Sequence, residues 1–356
     1  MITYYLLYLY LSLNSLISRK FSIFTGPITL FIFVIFIGLR HEIGVDWINY
    51  SNYMNNVGDS LLMDIILSGH ELGFFIINWI GSQANSIYLL NTIASIVFLS
   101  GLFRYCKRQS YPWLSLIFAF PILILPVGLG LTRQSCAVGV IFFALNAIDN
   151  QKIIKSIFLI LLAATFHFSS IFLIVLYIPY FFQKNNSKFK LNLVLFLCGV
   201  LFFILYGYIS TVITSYSELY IINKFELSWS SGGSIPKLIP SLFASLILIF
   251  NKSKFSSSTN KIAFSLYEKI AYLVLIIFFL MILIPERSTV FDRFAIYLVP
   301  ITIYVFNKTI DLRLFRISRD YFQIIFITYF FLQSFLWLEF ANFKDYFVPY
   351  KNILFL

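Results

Sequence analysis

The feature that most constrains this chain is a series of apolar stretches of membrane-spanning length that recurs from one end to the other. The first covers residues 4–17 and the last covers residues 321–338. A hydrocarbon core about 30 Å thick contains no water, so a segment that crosses it must satisfy its own backbone N–H and C=O groups. A helix does this within one segment, and the roughly ten-residue alternation of a barrel strand is absent from the sequence. The sequence therefore predicts an all-α, polytopic transmembrane helical bundle.

The composition supports this fold class. Of the 356 residues, 60% are hydrophobic and 12% are charged, and mean hydropathy is +0.88, whereas about 25% of a soluble domain is charged. No linker, repeat or low-complexity segment divides the chain, which predicts a single integral membrane domain over residues 1–356. The N-terminus has neither a basic n-region nor an A-x-A site, so we expect a first helix rather than a cleaved signal. Cys106, Cys136 and Cys198 lack metal or redox spacing and are interpreted as small core residues.

The basic residues predict how the chain is threaded through the membrane. The net charge is +11, and most of the 26 Lys and Arg residues fall in alternate gaps between the apolar stretches. Cytoplasmic loops are the ones enriched in Lys and Arg, so this charge indicates topology rather than nucleic-acid binding. Both termini are then outside, and about ten full crossings are expected. The expected crossings are approximately residues 3–18, 21–39, 86–104, 111–130, 134–150, 191–214, 235–250, 270–285, 294–307 and 321–339.

Two apolar segments do not fit a simple crossing. Residues 71–82 are short, and we expect them to lie in the interface or to re-enter the membrane. Residues 153–182 have basic residues at both ends, and a single helix of that length would measure about 45 Å, too long for one crossing. We therefore predict a short or re-entrant helical hairpin with its tip near residues 166–170. Such broken helices are tolerated where they line a protein-enclosed or aqueous cavity.

Titratable residues gather on the predicted outer side. The first outer loop carries Arg40, His41, Glu42 and Asp46 within seven residues, and Glu71 opens the short apolar segment. One interpretation is a solvated loop in which Arg40 anchors a helix end. The other is a functional site, because ionisable residues near membrane depth are costly and tend to be paired or functional.

Three further arginines lie on the same side. Arg133, followed by Gln134, begins a helix after a glycine-containing run at residues 128–130, and Arg287 and Arg293 bracket a short loop. Arginine is planar and permanently charged, which suits it to phosphate, and a helix start adds unpaired N–H groups. These residues predict an anion site. The alternative for Arg133 and Arg293 is an ion pair with a nearby carboxylate.

Signs of other chemistries are few. His41, His70 and His167 lack zinc-ligand spacing, and the sequence contains no P-loop, dinucleotide-binding turn or G-x-S-x-G motif. We therefore expect no metal, no cofactor and no nucleotide-sugar or ATP site. His167 marks the predicted hairpin break, where it is either a hydrogen-bonded core residue or part of a cavity. The aromatic tail around Tyr350 is interpreted as an interfacial belt, with stacking on a sugar ring as the alternative.

Five short runs, taken in order, resemble the EpsG/Wzy-type polysaccharide polymerases of bacteria. The runs are Gly38-Leu39-Arg40 with Gly44-Val45-Asp46 and Tyr50, Glu71-Leu72-Gly73-Phe74, Leu131-Thr132-Arg133-Gln134, Phe166-His167-Phe168-Ser169-Ser170, and Asp292-Arg293-Phe294 with Tyr297. The resemblance covers about residues 38–300, with a further match at Pro349-Tyr350. Phe168 departs from the family pattern, in which a basic residue often follows the histidine.

What the resemblance implies is a GT-C-like glycosyltransferase at the periplasmic or outer face of the bacterial inner membrane. Enzymes of this kind join undecaprenyl-diphosphate-linked oligosaccharide repeat units into O-antigen, capsule or exopolysaccharide. The expected partners are therefore donor and acceptor lipid-linked glycans and membrane lipids, with a chain-length regulator and a flippase as candidate protein partners and no nucleic acid.

This reaction assigns expected roles to the outer residues. Breaking the anomeric C–O bond leaves charge on a lipid diphosphate, which must be met by preorganised cations. The arginines expected to bind it are Arg133 and Arg293, supported by Arg40 and Arg287. The candidates for the base that removes the acceptor proton are Asp46 first, then Glu71 and His167. The residues expected to position the substrate are Gln134, Tyr50 and Tyr297.

Two other functions fit the same features. A flippase or other transporter of lipid-linked oligosaccharides would also need titratable residues in a cavity, but it should place them at mid-membrane and on both faces. A transferase that adds one sugar from a polyprenyl-phosphate donor would share the architecture, and the length of its product would distinguish it. A purely structural scaffold explains the one-sided gathering of arginine and histidine least well.

Overall fold

The structure is a computed structural model that describes residues 1–57, 71–177, 233–285, 288–315 and 317–356. Its main helices are α1 Ile2–Ile17, α2 Thr25–Gly38, α3 Trp47–Val57, α4 Leu72–Gln83, α5 Ile87–Arg108, α6 Pro112–Gly128, α7 Thr132–Asp149, α8 Ile153–Phe166, α9 Ser234–Phe250, α10 Lys252–Ser258, α11 Lys261–Leu283, α12 Ser288–Ala295, α13 Pro300–Asp311 and α14 Arg319–Phe340. Shorter 3-10 helices cover Phe168–Tyr177, Ile296–Leu298, Lys344–Tyr346 and Ile353–Phe355. No strand occurs in these ranges, where the only β-type pairing is one bridge between Arg40 and Asn352. The predicted all-helical class is confirmed.

Fewer helices than expected have the length and composition of a full crossing. Within the described ranges α5, α11 and α14 qualify, and two bent pairs, α9 with α10 and the segment 288–298 with α13, raise the number to five. The helices are those of a multi-pass membrane protein, but the expectation of about ten full crossings is not confirmed. One reason is that α1 and α2 have 16 and 14 residues, or about 24 and 21 Å, less than a 30 Å core. The expected crossing at 191–214 lies outside the described residues.

Helix α6 forms the centre of the bundle. Every residue from Tyr111 to Gly130 is buried except Pro126, which is partly exposed. Residues 120–128 wind as a π-helix rather than an α-helix. Pro121 and Pro126 lie in this stretch and have no N–H to donate, so the regular i to i−4 hydrogen-bond ladder cannot continue through it. A helix that is apolar on all sides is enclosed by other helices, as α6 is here.

Helices α5 and α7 approach closely where each carries a glycine. A Cβ atom on Gly101 would overlap the carbonyl oxygen of Gly139, and a Cβ on Gly139 would lie 2.5 Å from the Cα of Phe98. The absence of side chains at these two positions lets the two backbones touch, as at small-residue crossings of membrane helices. This crossing fixes α7, and therefore the start of α7, relative to α5.

The predicted helical hairpin is present in its described part. Helix α8 ends at Phe166, His167 is extended, and the 3-10 helix begins at Phe168. The Ser156 hydroxyl near the start of α8 and the Tyr177 hydroxyl at the end of the 3-10 helix are 2.7 Å apart. The chain therefore doubles back at residue 167, as expected, while residues 178–182 lie outside the described ranges.

Contacts between helix ends divide the bundle into two poles. At the basic pole, Arg19 after α1 pairs with Asp311 of α13 at 3.2 Å, and Asn260 before α11 donates to the backbone oxygen of Asp149 at 3.0 Å. At the far pole, Arg40 after α2 donates to the Thr132 hydroxyl at the start of α7, at 2.9 Å. Among the described residues, the Lys and Arg clusters that the sequence assigns to the cytoplasm, such as Arg19 with Lys20 and Lys107 with Arg108, lie at the basic pole.

The C-terminal tail, residues 341–356, is bound to the first outer loop at the far pole. Lys351 O accepts from the His41 N–H at 3.0 Å, and Tyr346 O accepts from the Gly44 N–H at 2.9 Å. Gly44 has φ +105, a conformation that favours glycine. Tyr350 stacks on Phe36 with ring centroids 4.7 Å apart and donates to its backbone oxygen at 2.7 Å. These contacts hold Tyr350 against the end of α2, and its interfacial or sugar-stacking role stays a prediction.

Candidate active site

Glu71 joins three segments at the far pole. Its Oε1 accepts hydrogen bonds from His167 Nδ1 and from the Phe168 N–H, both at 2.9 Å. Its Oε2 accepts from Arg133 Nη1 at 3.2 Å. The Glu71 side chain is 18% exposed. The start of α4, the start of α7 and the hairpin break therefore meet at a single carboxylate.

Local sequence explains why these groups are free to meet. Arg133 is the second residue of α7, so its side chain projects from the helix start rather than from the middle of the bundle. The hairpin break at His167 releases the Phe168 N–H from the helical ladder, and a buried N–H needs an acceptor. Glu71 stands directly before α4 and supplies that acceptor.

The electrostatic balance keeps Glu71 ionised. Burial raises the pKa of its carboxyl, but the hydrogen bond from His167, the charge of Arg133 and the Phe168 N–H together outweigh it and hold the pKa below its usual value. Glu71 is thus a carboxylate at neutral pH and acts only as a hydrogen-bond acceptor.

Two residues of the first outer loop and α3 extend this network. Tyr50 is buried on α3, and its hydroxyl interacts with the Arg133 guanidinium and donates to Asp46 Oδ2 at 3.4 Å. The Arg133 guanidinium also lies 6.0 Å from the centre of the Phe74 ring. Asp46, Tyr50, Arg133, Glu71 and His167 therefore form one connected network, although they come from four separate parts of the sequence.

Gln134 brings the second predicted arginine close to the first. Its Nε2 donates to the backbone oxygen of Arg293 at 2.7 Å, so the chain at Arg293 lies against the residue that follows Arg133. The Arg293 side chain is exposed, and its guanidinium makes no hydrogen bond or ion pair with any other residue that the structure describes. Tyr297, one turn beyond Arg293, is buried and its hydroxyl lies 3.2 Å from the Ser169 hydroxyl of the hairpin.

Arg40 occupies a different position from the other arginines. It is 2% exposed and donates to Ile37 O at 2.6 Å, Ile43 O at 3.2 Å, and Asn91 Oδ1 and Thr132 Oγ1 at 2.9 Å each. Burial lowers the pKa of Arg40 to about 10, which leaves it charged at neutral pH. Its donors are directed at protein acceptors, and the contacts favour a role in holding the outer loop against the start of α7. Direct binding of a diphosphate by Arg40 stays a prediction.

Sequence reasoning missed several residues that build this region. Lys237 of α9 pairs with Asp292 at 2.6 Å and ties α9 to α12 beside Arg293. Asn91 and Thr132 accept hydrogen bonds from Arg40, and the Phe168 N–H donates a hydrogen bond to Glu71. The sequence signals that could have identified them are Lys237, a lysine on the side where lysines are scarce, and Asn91, a polar amide within an apolar helix. The predicted Arg287, with His70, lies outside the described residues.

The remaining residues of the outer loop are engaged elsewhere. His41 Nδ1 lies 2.6 Å from the Tyr88 hydroxyl, and Glu42 pairs with Lys351 of the tail at 3.1 Å. Among the described residues no group of three or more His, Cys, Asp or Glu side chains is placed to hold a metal ion. The described chemistry of the site is therefore that of two arginines, a carboxylate with a histidine, and hydroxyl and amide groups.

The comparisons with known proteins agree with the order of the motifs. No curated protein and no solved structure matches the chain. The model of the EpsG family, in contrast, matches residues 23–352, a range that includes all the site residues described above. The chain therefore belongs to the EpsG family, a family of Wzy-type polysaccharide polymerases.

Proposed function

We propose that this chain joins undecaprenyl-diphosphate-linked oligosaccharide repeat units into a long polysaccharide at the periplasmic or outer face of the bacterial inner membrane. The polymer would be an O-antigen, capsule or exopolysaccharide. The observation that carries the proposal is the convergence of Arg133 and Arg293 through Gln134 beside the Glu71–His167 pair. Two lipid diphosphates and an acceptor hydroxyl require cations and a proton acceptor at one place, and this arrangement contains both.

The arginines are suited to the leaving group. When the anomeric C–O bond breaks, negative charge develops on the diphosphate, and cations already in place stabilise it without reorganisation. Arg133 is held at one donor by Glu71 and keeps further N–H groups, since a guanidinium has five, and its side chain is 44% exposed. Arg293 is exposed and its guanidinium has no described hydrogen-bond partner. The two side chains can therefore bind phosphate oxygens from two directions, with Arg287 as a further candidate.

The membrane setting is consistent with lipid-linked substrates. The far pole lies at the opposite helix ends from the described Lys and Arg clusters, and the positive-inside rule supports the proposal that it faces away from the cytoplasm. Polyprenyl chains would enter sideways between helices while the diphosphates remain at the pole. Tyr50, Gln134 and Tyr297, which line the network, are proposed to orient the sugars, and Asp46, Glu71 and His167 are the candidates for proton removal.

A transporter of the same lipid-linked glycans is the main alternative class. Transporters bind substrate near the bilayer midplane, with ionisable residues accessible from both sides in turn. Here the connected polar groups lie at one pole, close to the first residues of α4 and α7. This one-sidedness favours transfer chemistry over transport.

The proposal is tested by deleting the gene and extracting lipid-linked glycans. Loss of a polymerase should leave single repeat units on undecaprenyl diphosphate and abolish the long-chain ladder on a gel. Complementation with Arg133→Ala or Arg293→Ala should give normal protein levels but no ladder, and Arg133→Lys should also fail because a point charge lacks the guanidinium fork. Arg104→Ala is the matched control, since Arg104 is exposed and lies near the C-terminal end of α5, far from Asn91 near its start.

Two outcomes would contradict the proposal. Full-length polymer from both alanine variants would remove the arginines from the reaction. A deletion strain that accumulates no single repeat units, or that lacks only one sugar of each unit, would indicate a transporter or a single-sugar transferase instead.

A further inference from the structure

The contacts of Glu71 prevent it from acting as a free proton acceptor. Oε1 already accepts two hydrogen bonds at 2.9 Å, from His167 Nδ1 and the Phe168 N–H, and Oε2 accepts one from Arg133 at 3.2 Å. These contacts use three of the roughly four acceptor positions of a carboxylate and hold the pKa of Glu71 below its usual value, so it is a weak base. The side chain is also mostly enclosed, at 18% exposed.

The same contacts define the state of His167. An ionised carboxylate only accepts hydrogen bonds, so in the His167–Glu71 contact Nδ1 must carry the hydrogen. In a neutral imidazole the other nitrogen, Nε2, then has the free electron pair. Nε2 has no hydrogen-bond partner in the part of the chain that the structure describes, and the His167 side chain is only 12% exposed. Within the described part of the chain, this basic nitrogen is therefore available to a substrate.

Asp46, the first candidate from the sequence, is less well placed. The one hydrogen bond that connects it to the network is a long one, 3.4 Å from the Tyr50 hydroxyl. Within the described residues its connection to His167 runs through Tyr50 and Arg133. No carboxylate or backbone group is seen to orient it as Glu71 orients His167.

We propose, resting on the polymerase function above, that His167 is the general base of the transfer and that Glu71 is its positioning residue. His167 Nε2 removes the proton of the acceptor hydroxyl as the hydroxyl oxygen attacks the anomeric carbon of the donor. The anomeric C–O bond to the diphosphate breaks, and its electron pair leaves with the diphosphate oxygen. The proton stays on the imidazole until it passes to the departing diphosphate or to water.

This division of roles also explains why one carboxylate holds both His167 and Arg133. The base must lie close to the acceptor, and the arginine must lie close to the leaving group, on opposite sides of the same anomeric carbon. By binding both side chains, Glu71 fixes their separation. The hairpin break adds the Phe168 N–H, so the orientation of the imidazole depends on the fold of the hairpin as well.

The pH dependence of the rate distinguishes a base from a structural histidine. Among the described residues, the charged and titratable groups of the network that contains His167 are Glu71 at α4, Arg133 of α7, Asp46, Tyr50 and Tyr53 from the α3 region, and Tyr297 with Arg293 from the α12 region. A base must be neutral, so the rate should fall as the pH is lowered and His167 takes up a proton.

The experiment uses the full chain in nanodiscs and, as substrate, the lipid-linked oligosaccharide extracted from cells that lack the chain. His167→Asn retains an amide that can still contact Glu71 but has no basic nitrogen. We expect its turnover to fall by about 10²–10⁴-fold, with the fall at low pH abolished and with binding of farnesyl diphosphate, the binding probe, unchanged. Glu71→Gln should lower turnover less, because Nε2 is still present but the imidazole is held less firmly. His41→Asn is the matched control and should behave as wild type, because His41 lies outside the network.

Each other result overturns the proposal. Polymerisation by His167→Asn within tenfold of wild type, with the low-pH fall unchanged, would show that another group is the base. Loss of farnesyl diphosphate binding in His167→Asn would make His167 a ligand of the diphosphate. A wild-type rate that falls as pH rises would require a charged imidazolium. If wild type itself makes no polymer from this substrate, the polymerase function fails first, and the role of His167 falls with it.

Discussion

Arg40 provides a sharp test of the difference between a binding residue and a structural one. The guanidinium is 2% exposed and donates four hydrogen bonds to neutral acceptors, two of which are the side chains of Asn91 and Thr132. In Arg40→Lys the charge remains, but a single ammonium cannot span acceptors that a planar fork reaches from three nitrogens. We expect the fold to lose stability, whereas a purely diphosphate-binding arginine would leave stability unchanged.

The size of this loss of stability follows from the two side-chain acceptors that lose their hydrogen-bond donor. Asn91 Oδ1 and Thr132 Oγ1 both depend on Nη2 of Arg40, and the Asn91 amide nitrogen already has no hydrogen-bond partner among the described atoms. A buried polar group left unsatisfied costs about 1–3 kcal/mol. Because the Thr132 hydroxyl can partly find another partner, Arg40→Lys should lower the free energy of unfolding by about 2–4 kcal/mol. This corresponds to a fall in melting temperature on the order of 5 °C.

The buried cysteines provide the assay. Cys106 and Cys136 are both fully buried, so a thiol-reactive fluorescent dye should label them only as the protein unfolds. Melting curves would be measured in a Cys198→Ser background for Arg40→Lys, for Arg133→Lys and for Arg104→Lys. Only Arg40→Lys should melt earlier, because Arg133 and Arg104 are exposed. A wild-type melting curve for Arg40→Lys, together with lost binding of farnesyl diphosphate, would refute the reasoning.

Three further predictions concern the frame of the site. Gly101→Ala places a Cβ against Gly139, so we expect a loss of about 1–3 kcal/mol in unfolding free energy, measured by the same dye assay. Gly233→Ala is the control and should leave stability unchanged, because the nearest atom to its added Cβ is 3.7 Å away. Phe347→Ala removes a 2% exposed ring that packs on Trp337 with centroids 4.7 Å apart, which should cost about 3–5 kcal/mol and loosen the tail from the outer loop; an unchanged melting temperature would contradict this contact. The pKa of Glu71 is lowered in the folded protein, so its stabilising contribution is present at neutral pH and is lost as the pH falls through its folded pKa. The difference in melting temperature between wild type and Glu71→Gln should therefore disappear in acid, and a difference that persists there would exclude ionisation as its cause.

Some of the site could be predicted because the signals were local. The Arg133-Gln134 pair at a helix start, the break at His167 and the outer position of Glu71 each depend on a few neighbouring residues and on the spacing of apolar stretches. These features placed the residues at one pole before any contact was known. Such an inference is stronger for a membrane protein than for a soluble one, because a titratable residue near the bilayer is costly and rarely accidental.

Other features depended on contacts between distant segments. Among the described residues, three to five helices have the length and composition of a full crossing, so the expected number of about ten is not confirmed. Several apolar stretches end within 14 to 16 residues at turns that hydropathy does not mark. The binding of the tail to the first outer loop joins residues more than 300 positions apart, and no local pattern predicts it. Arg40 shows the same limit, because its burial is produced by Asn91 and Thr132 from other helices.

The sequence by itself determined that this chain is a helical membrane protein, that its two sides differ in charge, and which residue types could meet a phosphate. These properties follow from hydropathy, charge and local backbone chemistry, which act within a few residues. Only the tertiary structure decided which carboxylate holds which cation, that Arg40 is enclosed while Arg133 and Arg293 are open, and that the imidazole of His167 presents Nε2 rather than Nδ1. Those properties arise from hydrogen bonds between segments that the chain brings together only when its helices pack.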